Sequence, residues 1–137
     1  MRTLCHLTLA FTLLSAPVLA QQADQPPRLG IELNRVDQLD GACRLTFMAE
    51  NATGADLSTL SLETVLIDTA GQVDRLTLFD FGALPDGLPR VRQFDLGALD
   101  CAQLGRVLIN GVAECSGGAD CAGALGVSSR TDVEVIG

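Results

Sequence analysis

From Leu29 onward the chain is written in short runs of period two, separated by turn residues. Such alternation sends successive side chains to opposite faces of a strand, so each run has one apolar face that another sheet must cover. Leu29, Ile31 and Leu33 alternate with Gly30, Glu32 and Asn34. Leu45, Phe47 and Ala49 alternate with Arg44, Thr46, Met48 and Glu50. Leu60 and Leu62 open a run that passes through Val65, Leu66 and Ile67 with both faces apolar. Leu76 and Leu78 face one way, and Thr77, Phe79 and Phe81 the other. Val91 to Leu96, Val107 to Cys115 and Asp132 to Ile136 complete seven runs. The breaks at Asn51-Ala52-Thr53-Gly54, Asp68-Thr69-Ala70-Gly71 and Pro85-Asp86-Gly87 carry turn chemistry. No amphipathic helix of ordinary length interrupts them. The pattern predicts an all-β domain over residues 29–137, an immunoglobulin-like β-sandwich of about seven strands with one or two short helical turns.

Two local echoes sit on this frame. Phe79-Asp80-Phe81-Gly82-Ala83-Leu84 recurs as Phe94-Asp95-Leu96-Gly97-Ala98-Leu99, which reads as two strands leaving their sheets in the same manner. Asp100-Cys101-Ala102 with Gly105 recurs as Asp120-Cys121-Ala122 with Gly126. The second pair reads as two single helical turns, each with Asp at the N-cap and Gly ending the turn.

Residues 1–20 read as a secretory signal peptide. Arg2 is the positive end, Leu7 to Leu14 an uncharged apolar stretch, and Val18-Leu19-Ala20 a small-residue cleavage site. The stretch is short of the roughly 20 apolar residues that span a bilayer. Residues 21–28 (QQADQPPR) read as a disordered leader. The expectation is a periplasmic or secreted protein exported by the general secretory route. Cleavage moves the net charge from −8 to −9, since Arg2 leaves and all 17 acidic residues stay. A chain this acidic is repelled by phosphate backbones and anionic lipid, so nucleic acid is a poor partner.

The signal assignment sharpens a compositional gap. The sequence has no Trp and no Tyr, its nine basic residues are all Arg, and its one His is His6. The exported chain then lacks His, Lys, Tyr and Trp, which removes Ser-His-Asp catalysis, Schiff-base amines and imidazole metal sites. Carboxylate pairs remain formally open, with Asp80, Asp86 and Asp95 near the echoes. A glycosidase would also need aromatic platforms; Phe47, Phe79, Phe81 and Phe94 read instead as core. Asp68-x-x-Gly71-x-x-Asp74 lacks the oxygen density of a recognised Ca²⁺ loop and reads as a hairpin turn. Asn51-Ala52-Thr53 fits the N-glycosylation pattern and reads as a turn. With no cofactor expected, the chain reads as a non-enzyme.

Cys43, Cys101, Cys115 and Cys121 remain after Cys5 leaves, an even number that favours two disulfides in an exported domain. The strand from Val107 to Cys115 spans roughly 30 Å at about 3.3 Å per residue, so Cys101 and Cys115 at its two ends are poor partners. Cys115 and Cys121 flank a flexible Ser-Gly-Gly-Ala-Asp segment. The preferred pairing is therefore Cys43–Cys101 and Cys115–Cys121. A structural zinc site would use the same thiolates but wants a C-x-x-C spacing, which is missing.

Glu32-Leu33-Asn34, Cys43-Arg44-Leu45, Glu50-Asn51-x-Thr53-Gly54, Asp68-x-x-Gly71, Leu84-Pro85, Arg92-Gln93-Phe94-Asp95-Leu96 and Cys101-x-x-x-Gly105-Arg106-Val107-Leu108-Ile109-Asn110 run in one order. Together they resemble, over about residues 29–130, a family of small exported bacterial proteins labelled "Tat pathway signal sequence domain protein". That family has no established activity, so the resemblance implies export and no catalytic or binding residue. Met1-Arg2-Thr3 departs from the label by lacking a twin arginine. The order of motifs is also similar, more loosely, to bacterial immunoglobulin-like modules that bind other molecules or act as spacers. The expected function is a protein-interaction or envelope-assembly module whose partner is another envelope protein. The alternatives are a Ca²⁺-dependent carbohydrate binder and a small carboxylate-only hydrolase.

Overall fold

The computed structural model describes residues 28–117 and 120–137. The expected signal peptide and the leader as far as residue 27 lie outside them. Arg28, counted with the leader in the sequence reading, is the first residue of β1 and pairs with Ala52.

The strands are β1 Arg28–Leu39, β2 Ala42–Ala52, β3 Thr59–Asp68, β4 Val73–Asp80, β5 Arg90–Gly97, β6 Leu104–Ser116, β7 Leu125–Ser129 and β8 Glu134–Ile136. A 3-10 turn, Cys101–Gln103, precedes β6, and a one-turn helix, α1 (Cys121–Ala124), precedes β7. They form two four-stranded sheets, ordered β5-β2-β1-β7 and β4-β3-β6-β8. The fold is an all-β sandwich. Through β6 it distributes strands as an immunoglobulin sandwich does, with β1, β2 and β5 facing β3, β4 and β6. The C-terminal segment departs from that scheme. It gives one edge strand to each sheet, β7 parallel to β1 and β8 parallel to β6.

Period two explains what lies between the sheets. Leu29, Ile31 and Leu33 of β1, and Cys43, Leu45, Phe47 and Ala49 of β2, all turn inward and are buried. Leu60, Leu62, Thr64 and Leu66 of β3 meet them from the other side. Removing so many aliphatic and aromatic side chains from water is the main force closing the two layers. The four Phe residues expected in the core form one cluster. Phe47 touches Phe79, Phe81 and Phe94, while Phe79 and Phe94 stack.

Asp40-Gly41 closes β1 and β2 with a two-residue hairpin, Leu39 facing Ala42, and Gly41 takes φ +71°. The alternation stops at Asn34 because a bulge inserts there. Leu33 faces Phe47, yet Arg35 faces Thr46, so the side-chain parity resets and Val36 returns opposite Leu45.

Three sequence expectations change. Eight strands form where seven runs were read; the addition is β7, in the stretch between the second helical turn and Asp132. Both Asp N-caps are present, Asp100 accepting from the Ala102 amide and Asp120 from the Gly123 amide. Neither turn ends on glycine. Leu104 and Leu125 cap them in extended conformation, so each turn runs straight into a strand that contains the echoed glycine. The FDFGAL echo likewise differs in backbone, since the left-handed residue is Gly82 in one copy and Ala98 in the other.

The four cysteines pair as expected. Cys43 and Cys101, 58 positions apart, are bridged with Cα atoms 5.0 Å apart and tie β2 to the turn before β6. Cys115 and Cys121 are bridged at 6.3 Å and tie the end of β6 to α1.

Candidate interaction surface

The acidic residues singled out from the sequence are occupied with structure. Asp68 Oδ1 accepts from the amides of Ala70 and Gln72, which makes it the cap of the β3–β4 turn. Asp74 pairs with Arg75 at 2.6 Å. Asp80 accepts from the Gly82 amide, and Asp86 from the Gly54 amide. Asp95 receives Arg44 in a two-pronged pair, Nε to Oδ1 at 2.6 Å and Nη2 to Oδ2 at 2.8 Å. The hydrogen bond and the charge of Arg44 hold the Asp95 carboxyl below its ordinary range and raise the Arg44 guanidinium. Asp68 and Asp74 both line a hollow of about 220 Å³ with Leu99, Gln103 and Leu104, but Asp68 is engaged by turn amides and Asp74 by Arg75. No group of three or more His, Cys, Asp or Glu suited to a metal ion occurs among the described residues.

Asn51 of the N-x-T motif is buried rather than displayed. Its Nδ2 donates to the carbonyls of Ala55 and Leu84, and its Oδ1 accepts from the amide and hydroxyl of Thr53. The residue locks the loop after β2 to the loop after β4. Among the described residues no buried side-chain polar atom lacks a partner.

Two further hollows carry carboxylates in their walls. A groove of about 350 Å³ on the outer face of the first sheet has Gly30 beside Gly126 as its floor, with Glu32 and Glu50 along its walls. Glu32 is held by Asn34 and by Arg130, and these bonds lower its pKa. A carboxylate kept ionised in this way is a poor proton donor, and no aromatic ring lines the groove to carry a sugar. A more open cleft of about 700 Å³ at one end of the sandwich is lined by Val36, Leu104, Val133, Arg35, Arg130 and Asp132. Arg35 pairs with Asp37, and Arg130 with Glu32.

The feature without a structural occupation is the outer face of the second sheet. Inward positions of β3 are Leu60, Leu62, Thr64 and Leu66, so Ser61, Glu63, Val65 and Ile67 point outward. Register then sets the outward rows. Val65 stands between Leu76 of β4 and Leu108 of β6, and Leu108 faces Ile136 of β8. Ile67 stands between Val73 and Arg106, with Glu134 beyond. Glu63 stands between Leu78 and Gly111. The face is therefore aliphatic where a solvated sheet face is normally polar. On the edge strand β4, Val73, Leu76 and Leu78 are 60%, 62% and 60% exposed. The double-sided apolar run at Val65–Ile67, visible in the sequence, is the β3 part of this surface.

Salt bridges and capping bonds do not hide it. Arg106 pairs with Glu134 at its border, and Asn110 donates from Nδ2 to Glu63 Oε1. No helix among the described residues is long and apolar enough to cross a membrane. Compared with family models, curated proteins and solved structures, the chain matches none.

Proposed function

We propose that the protein is an exported, non-catalytic β-sandwich that serves as a protein-interaction or envelope-assembly module. One observation carries the reading: Val73, Leu76 and Leu78 stand exposed on the outer face of an edge strand and continue inward to Val65. Three exposed aliphatic side chains on one edge strand, beside a Val65 only 7% exposed, cost solubility, and such surface is kept where something covers it. The free edge of β4 adds unpaired backbone groups that a strand of a partner could meet. Two disulfides, together with the signal-like residues 1–20, support an oxidising compartment outside the cytoplasm. The engagement of Asp68, Asp80, Asp86 and Asp95 in turns and an ion pair supports a non-catalytic role.

The test is site-specific photo-crosslinking in the envelope of the producing cell. A photoreactive residue at position 76 or 78 should give a discrete protein adduct, and one at the exposed Gln93 on the other sheet should not. Equal labelling from all three positions, or none from 76 and 78, removes the reading. The Ca²⁺ alternative is tested by melting the purified protein across millimolar Ca²⁺, where an upward shift would restore it.

A further inference from the structure

We infer that the outer face of the second sheet receives a second copy of this chain, related by a two-fold axis. The inference rests on the interaction reading and names its partner. The argument is one of rows. The central outward row, Leu76–Val65–Leu108–Ile136, is aliphatic across all four strands. One neighbouring row carries Val73, Ile67, Arg106 and Glu134; the other carries Leu78, Glu63 and Gly111. A two-fold axis lying in the interface and crossing the strands at the central row lays that row on itself and exchanges its neighbours. Arg106 of each copy, whose Nε holds Glu134, then lies with its Nη groups over Gly111 of the other, beside the Glu63 that comes under Ile67. Nothing stands within 4 Å of where a Gly111 Cβ would be, so the glycine leaves a notch on this face. Packed sheets lie about 10 Å apart, a gap an arginine side chain bridges. Asn110 occupies Glu63 Oε1, which leaves Oε2 to accept from the incoming guanidinium.

Charge and area set the strength. The net charge of −8, or −9 once residues 1–20 are removed, opposes two copies at long range, so two Arg106–Glu63 pairs supply the local attraction that orients them. Three strands with about seven residues each on this face, and β8 with 3 residues, spaced about 4.8 Å apart, make a face of roughly 400 Å² in projection. That is about half of the roughly 800 Å² per partner that a standard specific interface buries, which puts the dimer among weak, transient associations.

The experiment is sedimentation velocity on the purified, disulfide-bonded protein from about 10 µM to about 1 mM, with dissociation constants read from the mass. The expected result is a monomer that becomes a dimer across this range. Leu76→Asp with Leu78→Asp should remain monomeric with an unchanged melting temperature. Arg106→Glu should weaken the dimer at least about tenfold, and Glu63→Arg added to it should recover the dimer. A monomer throughout overturns the inference, as does a dimer indifferent to Arg106→Glu. A dimer lost in Thr77→Pro but retained in Arg106→Glu would place the contact on the β4 edge and also overturn it. A monomeric protein that still crosslinks a different protein through position 78 sinks this inference and leaves the interaction reading standing.

Discussion

The ring of Phe79 on β4 lies flat on that of Phe94 on β5, with centroids 4.2 Å apart and planes within 9°. The two strands belong to different sheets, so the stack closes the open side of the sandwich. Arginines brace it from both directions. Arg75 on β4 donates to the Gly97 carbonyl, and Arg92 on β5 donates to the carbonyls of Phe81 and Ala83. Phe79→Ala should therefore cost about 3–5 kcal/mol, the range for a buried Phe truncation. Leu76→Ala, three residues away on the opposite, exposed face, should stay within about 0.5 kcal/mol. Urea unfolding of both variants checks the contrast. A comparable loss at the two positions would mean that the outer face, and not the stack, holds β4 in place.

Asn51 offers a second measurement. Its carboxamide satisfies two carbonyls, an amide and a hydroxyl at a position only 1% exposed. Asn51→Ala strands several of these groups away from water, at about 1–3 kcal/mol for each buried group left unpaired. The expected result is a loss near the upper end of that range in urea. Amide exchange should quicken at Thr53 and Gly87, whose backbone bonds the residue organises.

The echoed glycines give opposite expectations from the same motif. A Cβ at Gly105 would sit 2.7 Å from the Asp68 carbonyl oxygen, where β6 passes the turn after β3. At Gly126 nothing lies within 4 Å. Gly105→Ala should destabilise by about 1–3 kcal/mol through overpacking, while Gly126→Ala should be neutral within about 0.5 kcal/mol. Thermal melts of the two variants side by side decide it.

That contrast shows where the sequence is legible. Alternation at Leu29–Leu33 and Leu45–Ala49 announces strands, because the period of a pleat is written directly in side-chain polarity. The Asp N-caps and the Cys115–Cys121 bridge are equally local, set by a short hydrogen bond or a loop length, and Cys43–Cys101 follows as the remaining pair. Gly105 and Gly126 look alike because what separates them is a neighbour 37 positions earlier, at Asp68. The bulge at Asn34 hid the second half of β1, since one inserted residue inverts the parity on which the reading depends. The Asp40-Gly41 hairpin carried a two-residue signal that lay beyond that break. The strand β7 was missed because its Gly-Val-Ser-Ser is too short and too polar to stand out until β1 is there to pair with it. The outer face of the second sheet was half visible. Val65–Ile67 showed an apolar outer side, but the alignment of Leu76, Val65, Leu108 and Ile136 exists only once register is fixed.

The two disulfides should contribute unequally. In the chain-entropy account, the 58-position separation of Cys43 and Cys101 gives a bridge worth about 4 kcal/mol, and the 6-position separation of Cys115 and Cys121 about 2 kcal/mol. Cys43 is also buried against Leu45 and Leu96, so opening the long bridge loosens packing as well. Replacing Cys43 and Cys101 together by Ala should lower the urea midpoint more than replacing Cys115 and Cys121. Equal losses, or the reverse order, would show that native packing rather than loop closure governs the bridges. Intact mass of the purified, disulfide-bonded protein should stand four hydrogens below the fully reduced form.

Acid should reach the first sheet through Asp95 and Glu32. Folding lowers the pKa of both, Asp95 through the Arg44 bond and Glu32 chiefly through Asn34 and then Arg130. A carboxylate whose folded pKa lies below its unfolded value binds fewer protons when folded. Its stabilisation is therefore complete above the unfolded pKa, about 4, and is lost as pH falls through the folded value. Both pairs lie at the surface in water, so each effect is small and screened by salt. Melting temperature should fall as pH drops below about 4, and Asp95→Asn should flatten that fall while leaving the melt near pH 7 little changed. Arg44→Gln should flatten it in the same way, because the pair titrates through the carboxylate alone over this range. An acid limb of unchanged steepness in both variants would assign the sensitivity to other carboxylates, and repeating the melts in Asp95→Asn with Glu32→Gln would show how much of it the first sheet carries.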